Sequence, residues 1–106
     1  MRIIARKTLR DFVDSLRGSA DQKAVKSARD SWFHEVQNSQ WRTPADVIRS
    51  YATASIVRDR VVFNIKGNAY RLIVAVDYRS QIVFIKWLGT HAQYDKIDVR
   101  TVTYAG

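Results

Sequence analysis

A histidine and a tyrosine stand three residues apart in the stretch Gly89-Thr90-His91-Ala92-Gln93-Tyr94-Asp95-Lys96. Both side chains can move protons, and they follow directly on the end of an apolar run, where loops carry function. Upstream, Arg71 and Lys86 lie in segments of alternating hydrophobicity. Arginine offers planar bidentate donors and lysine a point charge, so together they suit a phosphate. Arg71, Lys86, His91 and Tyr94 are the candidate catalytic set for chemistry at an anionic centre. The same residues also fit a solvated sheet face followed by a polar loop. His34 falls off the apolar stripe of its helix and reads as a surface residue. The two histidines have no ligand spacing and cysteine is absent, so neither a metal nor a cofactor is expected. No Gly-rich phosphate loop, nucleophile elbow or protease motif occurs. Asp95 and Asp98, beside Lys96, fit a solvated turn better than a pair of working carboxylates.

The elements that must position this set come from the hydrophobic period. From Arg60 onward the period is two: Val61, Phe63 and Ile65 alternate with Arg60, Val62, Asn64 and Lys66. Gly67-Asn68 is a two-residue hairpin signal, residues 69–78 form a second strand, Arg79-Ser80 is a weaker turn, and residues 81–88 form a third. A turn at 67–68 pairs 64 with 71 and 62 with 73. A turn at 79–80 pairs 73 with 86 and 71 with 88. Opposed residues share a face. One face then holds Val61, Phe63, Ile65, Tyr70, Leu72, Val74, Val76, Val83, Ile85 and Trp87, and must pack on the helices. The other holds Arg60, Asn64, Lys66, Arg71 and Lys86 among Val62, Ile73, Ala75, Phe84 and Leu88. All four basic residues of these strands share that second face, and a one-residue slip would mix the two sets. Phe84 and the aromatic residues of the tail could stack on unpaired bases.

The N-terminal half reads as a short strand over residues 1–6 and a helical hairpin. Leu9, Phe12, Val13 and Leu16 fall at i, i+3, i+4 and i+7, with Thr8 as a cap and Gly18 as the stop. Ser19-Ala20-Asp21-Gln22 has capping-box spacing and opens a second helix to about residue 37, with the stripe Val25, Ala28, Trp32 and Val36 and with Phe33 on its margin. Thr43-Pro44 opens a third, short helix. Residues 52–58 give no assignment. Trp41 fits no stripe and could serve a partner surface. The tail offers a loop or one turn near residues 94–97, then a short strand around 99–104. The expected class is α+β, with a strand and helical hairpin packed on a twisted antiparallel sheet.

The 106 residues suit one domain, residues 1–106. There are 18 Lys+Arg against 10 Asp+Glu, a formal charge of +8. The excess is shared by both halves, so it decorates folded surface rather than an arm and points to an anionic partner. No apolar run is long enough to span a membrane and the first residues are no signal peptide. The expected location is cytoplasmic.

Two segments carry a resemblance. Phe63-Asn64-Ile65-Lys66-Gly67-Asn68-Ala69-Tyr70-Arg71-Leu72-Ile73 and Gly89-Thr90-His91-Ala92-Gln93-Tyr94-Asp95-Lys96-Ile97 resemble the HigB toxins of the RelE/ParE superfamily, with the specific likeness over about residues 58–98. The resemblance implies a RelE-like fold and an mRNA interferase: an endoribonuclease toxin that cuts mRNA in the ribosomal A site. It implies neutralisation by a HigA-type antitoxin, and contact with operator DNA only through the antitoxin complex. Arg71 matches a basic residue used on the RNA backbone, and Tyr94 matches a C-terminal aromatic that contacts or acts on RNA. His91 stands where the RelE branch tends to carry arginine. With an RNA substrate, Arg60, Asn64, Lys66, Asn68 and Lys96 become the candidate RNA-binding residues. A non-catalytic or gyrase-directed binder on the same scaffold, of the ParE kind, is the alternative.

Overall fold

The structure, a computed structural model, describes residues 1–4, 6–67 and 69–103. In chain order it has β1 (Arg2–Ile4), α1 (Arg6–Ser15), α2 (Gln22–Gln37), α3 (Pro44–Ser50), β2 (Ser55–Val57), β3 (Arg60–Ile65), β4 (Tyr70–Asp77), β5 (Ile82–Thr90) and α4 (His91–Tyr94). The five strands form one open sheet in the order β1-β5-β4-β3-β2. Strands β2 to β5 are antiparallel neighbours, whereas β1 lies parallel to β5, so the sheet is mixed and the class is α+β.

The helices cover the face expected of them. Leu9, Val13, Val25, Trp32, Val36 and Val47 pack against Val61, Phe63, Leu72, Val74, Val83 and Ile85. Asn64 pairs with Arg71 and Val62 with Ile73, as the first hairpin requires. The second hairpin starts in the expected register, with Asp77 opposite Ile82 and Val74 opposite Ile85, but a β-bulge then shifts it. Ile73 faces Trp87, and Arg71 faces Gly89, not residues 86 and 88. Lys86 is the extra residue, and a bulge turns everything beyond it to the opposite side. Trp87 therefore leaves the helix-side core and joins Val62 and Ile73 on the second face, while Leu88 enters the core.

Other local expectations also change. Helix α1 begins at Arg6, so Thr8 lies inside its first turn rather than ahead of it. The N-cap of α2 is Asp21, not Ser19, whose hydroxyl instead accepts from the Asp21 amide. Asp21 spends its carboxylate elsewhere: Lys66 Nζ lies 2.6 Å away and the Tyr70 hydroxyl donates to it at 2.9 Å. Lys66, then Tyr70, hold this carboxyl below its usual range. The bond ties the tip of the β3–β4 hairpin to the α1–α2 connection. Helix α3 starts as expected, with Thr43 in a capping box with Asp46 and Pro44 in the first turn.

Trp41 is core rather than partner surface. It is 2% exposed, stacked on Phe63 with ring centroids 6.1 Å apart and edge-on to Tyr51. It lies between α2 and α3, where no helical period applies. The unassigned stretch contains β2, joined to β3 through Arg58 at φ 57°. No strand forms over residues 99–103, and Tyr104 lies outside the described residues.

Candidate active site

The second face of the sheet is not an open basic plate. Tyr94, Ile97, Val99 and Val102 of the tail fold over Val62, Ile73 and Trp87 and make a second, smaller core. Arg60 is sealed beneath this flap, 9% exposed, and donates to the Val99 carbonyl at 3.0 Å and to that of Val102. A buried cation is tolerated only when its donors are satisfied. Here Arg60 fastens the tail, so its side chain is not part of an open RNA-binding surface.

The flap is set by a single helical turn. The Thr90 hydroxyl accepts from the Gln93 amide at 3.1 Å, and Gln93 Oε1 accepts from the Thr90 amide at 2.9 Å, closing a capping box. The His91 amide donates to the Ala69 carbonyl at 2.9 Å, which fixes the start of α4 against the β3–β4 hairpin. One turn then stacks His91 and Tyr94 at i and i+3. The turn falls at residues 91–94, not near residues 94–97. Thr90 and Gln93 are positioning residues that the sequence reading did not single out; the Thr-x-x-Gln spacing was the available signal.

Gly89 completes the arrangement. A Cβ built there would stand 2.3 Å from Trp87 Cη2 and 2.8 Å from Gln93 Oε1. The indole occupies the space a side chain would need, so Gly89 lets Trp87 lie along the strand under the cap of α4. Gly89→Ala should therefore displace the ring and the capping box together. The expected cost is about 1–3 kcal/mol of stability, as for overpacking. Thermal unfolding of the variant beside the wild type checks it.

Directly across from Gly89 is Arg71. Its Nη2 lies 3.1 Å from His91 Nδ1, its Nη1 donates to the Tyr70 carbonyl at 3.3 Å, and its guanidinium sits 5.6 Å from the centre of the Tyr94 ring. A guanidinium only donates, so His91 Nδ1 is the acceptor and the imidazole proton is on Nε2. That nitrogen faces the Asp95 carboxylate at 3.5 Å. Three of the four candidate catalytic residues thus converge, with Asp95 behind the imidazole.

The remaining candidates are placed as follows. Asn64 is the cross-strand neighbour of Arg71. Lys86, at the bulge, holds its ammonium 5.7 Å from the centre of the Phe84 ring and has no hydrogen bond or ion pair among the described residues. Lys66 is committed to Asp21. Lys96 is exposed and lines a separate cleft of about 520 Å³ with Phe12, Trp87 and Gln93. Asn68 lies outside the described residues. His34 is exposed on α2, as expected.

The family model for the HigB toxin, the RelE-like toxic component of a toxin–antitoxin system, matches residues 25–97. The chain belongs to the HigB toxin family. The match runs from α2 through α4 and includes Arg71, His91 and Tyr94, whereas β1 and α1 precede it. No curated protein matches the chain. As a HigB-family toxin it has an antitoxin for its counterpart. Among the described residues, no helix is long and apolar enough to cross a membrane.

Proposed function

We propose that this HigB-family toxin is a ribosome-dependent mRNA interferase, an endoribonuclease that acts in the cytoplasm and is neutralised by a HigA-type antitoxin, with operator DNA reached only through the antitoxin complex. The observation that carries the reading is the convergence of Arg71, His91 and Tyr94 at the end of β5. A cation with fixed donors, an imidazole nitrogen that accepts and a phenol are what transesterification of RNA requires.

In the reaction the 2′-hydroxyl attacks the adjacent phosphorus and the bond to the 5′-oxygen breaks. One group takes the 2′-proton and another supplies a proton to the departing 5′-oxygen. Arg71 offsets the charge that accumulates on the phosphoryl oxygens. A phosphate drawing Arg71 Nη2 toward itself releases His91 Nδ1, which then accepts the 2′-proton. Asp95 keeps the other imidazole nitrogen protonated, and Tyr94 donates to the leaving oxygen. The nucleophile is internal to the substrate, so no metal is needed to activate water.

The products decide it. Translated messages cut in cells expressing the toxin alone should end in 2′,3′-cyclic phosphate or 3′-phosphate, with 5′-hydroxyl on the downstream fragment. Co-expression of the antitoxin should abolish the cuts. Ends carrying 3′-hydroxyl, or growth arrest with intact messages, would overturn the reading; the second result would favour a ParE-like binder.

A further inference from the structure

Three consecutive residues of the β3–β4 hairpin carry the geometry of the Arg71 cluster. The Ala69 carbonyl accepts from the His91 amide at 2.9 Å and sets where α4 begins. Tyr70 stands opposite Thr90, the N-cap of α4, and its carbonyl accepts from Arg71 Nη1 at 3.3 Å. Arg71 then presents its guanidinium to His91. A force that holds residues 69–71 therefore holds both ends of the contact between Arg71 and His91.

The tip of this hairpin is an unpromising anchor by itself. Lys66, Gly67 and Ala69 are exposed, and exposed loop tips are where chains loosen first. Lys66 adopts φ 52°, a left-handed conformation that is uncommon without glycine and persists where the surroundings impose it. The contact that spans the tip is with Asp21, on the connection between α1 and α2. One oxygen of its carboxylate meets Lys66 Nζ at 2.6 Å, and the other accepts from the Tyr70 hydroxyl at 2.9 Å. The carboxylate thus grips the hairpin on both sides of its tip. Tyr70 is 4% exposed and edge-on to Phe12 of α1, with ring centroids 5.9 Å apart, so packing aims its hydroxyl. Asp21 gives up a local role to do this. Aspartate is among the best residues for capping a helix, and Asp21 stands at the N-cap of α2, yet its side chain makes no capping bond.

We propose that Asp21 is a positioning residue for the active site: by gripping Lys66 and Tyr70 it holds residues 69–71, and through them it sets Arg71 against the His91 imidazole. Asp21 touches no substrate in this role. Its effect on cleavage rests on the reaction proposed above, whereas its effect on the imidazole does not, and the two are measured separately.

The test uses the full-length chain labelled at its histidine ring nitrogens. The His91 signals are assigned by their loss in His91→Ala and read at a pH where the ring is neutral. In the wild type they should report a proton on Nε2. In Asp21→Ala they should move toward the values of a ring that exchanges between both tautomers. Asp21→Asn keeps an oxygen for the Tyr70 hydroxyl but no charge for Lys66, and Tyr70→Phe keeps the ring without its hydroxyl. Both should shift less, and they carry the measurement if Asp21→Ala does not fold. Message cleavage by Asp21→Ala should slow by about tenfold or more, since a misplacement of about 1 Å can cost about 10²-fold. A role in stability alone would lower the melting temperature and leave the His91 signals of the folded protein unmoved. Unmoved signals in all three variants would overturn the proposal. So would wild-type cleavage by Asp21→Ala where His91→Ala is slow. Wild-type cleavage by His91→Ala itself would instead overturn the proposed reaction, and the His91 signals would then decide the positioning role alone.

Discussion

Arg71→Ala should cleave messages about 10²–10³-fold more slowly than the wild type, the loss typical of removing one preorganised donor to a developing oxyanion. Its melting temperature should stay close to wild type. Arg71 is half-buried on the second sheet face, and its contacts are the Tyr70 carbonyl, His91 and the Tyr94 ring rather than the helix-side core. Arg71→Lys separates charge from geometry. It keeps a cation but loses the planar fork that can hold a phosphate while facing His91, so its rate should fall between the two. Antitoxin binding should persist in both variants. Wild-type cleavage by Arg71→Ala, or a loss explained by unfolding, would remove this face from consideration as the active site.

The fold was legible where one face of an element differs from the other. Val61, Phe63 and Ile65 alternate with Arg60, Val62, Asn64 and Lys66, and β3 pairs with β4 as that pattern demands. The bulge in β5 was invisible for the opposite reason. Ile85, Trp87 and Leu88 are all apolar, so moving Trp87 out of the core and Leu88 into it breaks no alternation. Strand β2 is three residues long and turns through Arg58 at positive φ, where no glycine or asparagine announces the turn. At Asp21 a long-range contact overrode a local signal. The Ser19 spacing looked like a cap, but nothing near it in sequence tells of Lys66 and Tyr70.

The candidate site was legible as residue types and only partly as geometry. Arg71, His91 and Tyr94 were identified from spacing and resemblance, and they meet. Arg60 looked equivalent to Arg71 because both fall on one face of the sheet. What separates them is the tail: Ile97, Val99 and Val102 pack through turns, so neither a period of two nor of 3.6 marks them as a lid. Arg60 lies under that lid and Arg71 at its margin. The +8 charge could not make the distinction, because net charge counts a buried guanidinium and a half-exposed one alike.

His91→Ala should be the most damaging substitution, slowing cleavage by about 10²–10⁴-fold, the range for a positioned proton-transfer group. The arrangement makes a narrower statement than loss alone. Arg71 donates to Nδ1 and Asp95 faces Nε2, so the nitrogen that carries the lone pair is the one turned to Arg71, and it is released when a phosphate draws the guanidinium away. That is the geometry of a base acting on the 2′-hydroxyl. A message with sulfur in place of the 5′-bridging oxygen at the cut site distinguishes base from acid, because a thiolate leaves without needing a proton. On that substrate Tyr94→Phe should recover most of its rate, whereas His91→Ala should stay slow, since its missing step precedes departure of the leaving group. Asp95→Asn should fall between them, as a carboxamide oxygen can still accept from Nε2 but without charge. Rescue of His91→Ala by the sulfur substrate would reverse the assignment and make the imidazole the acid.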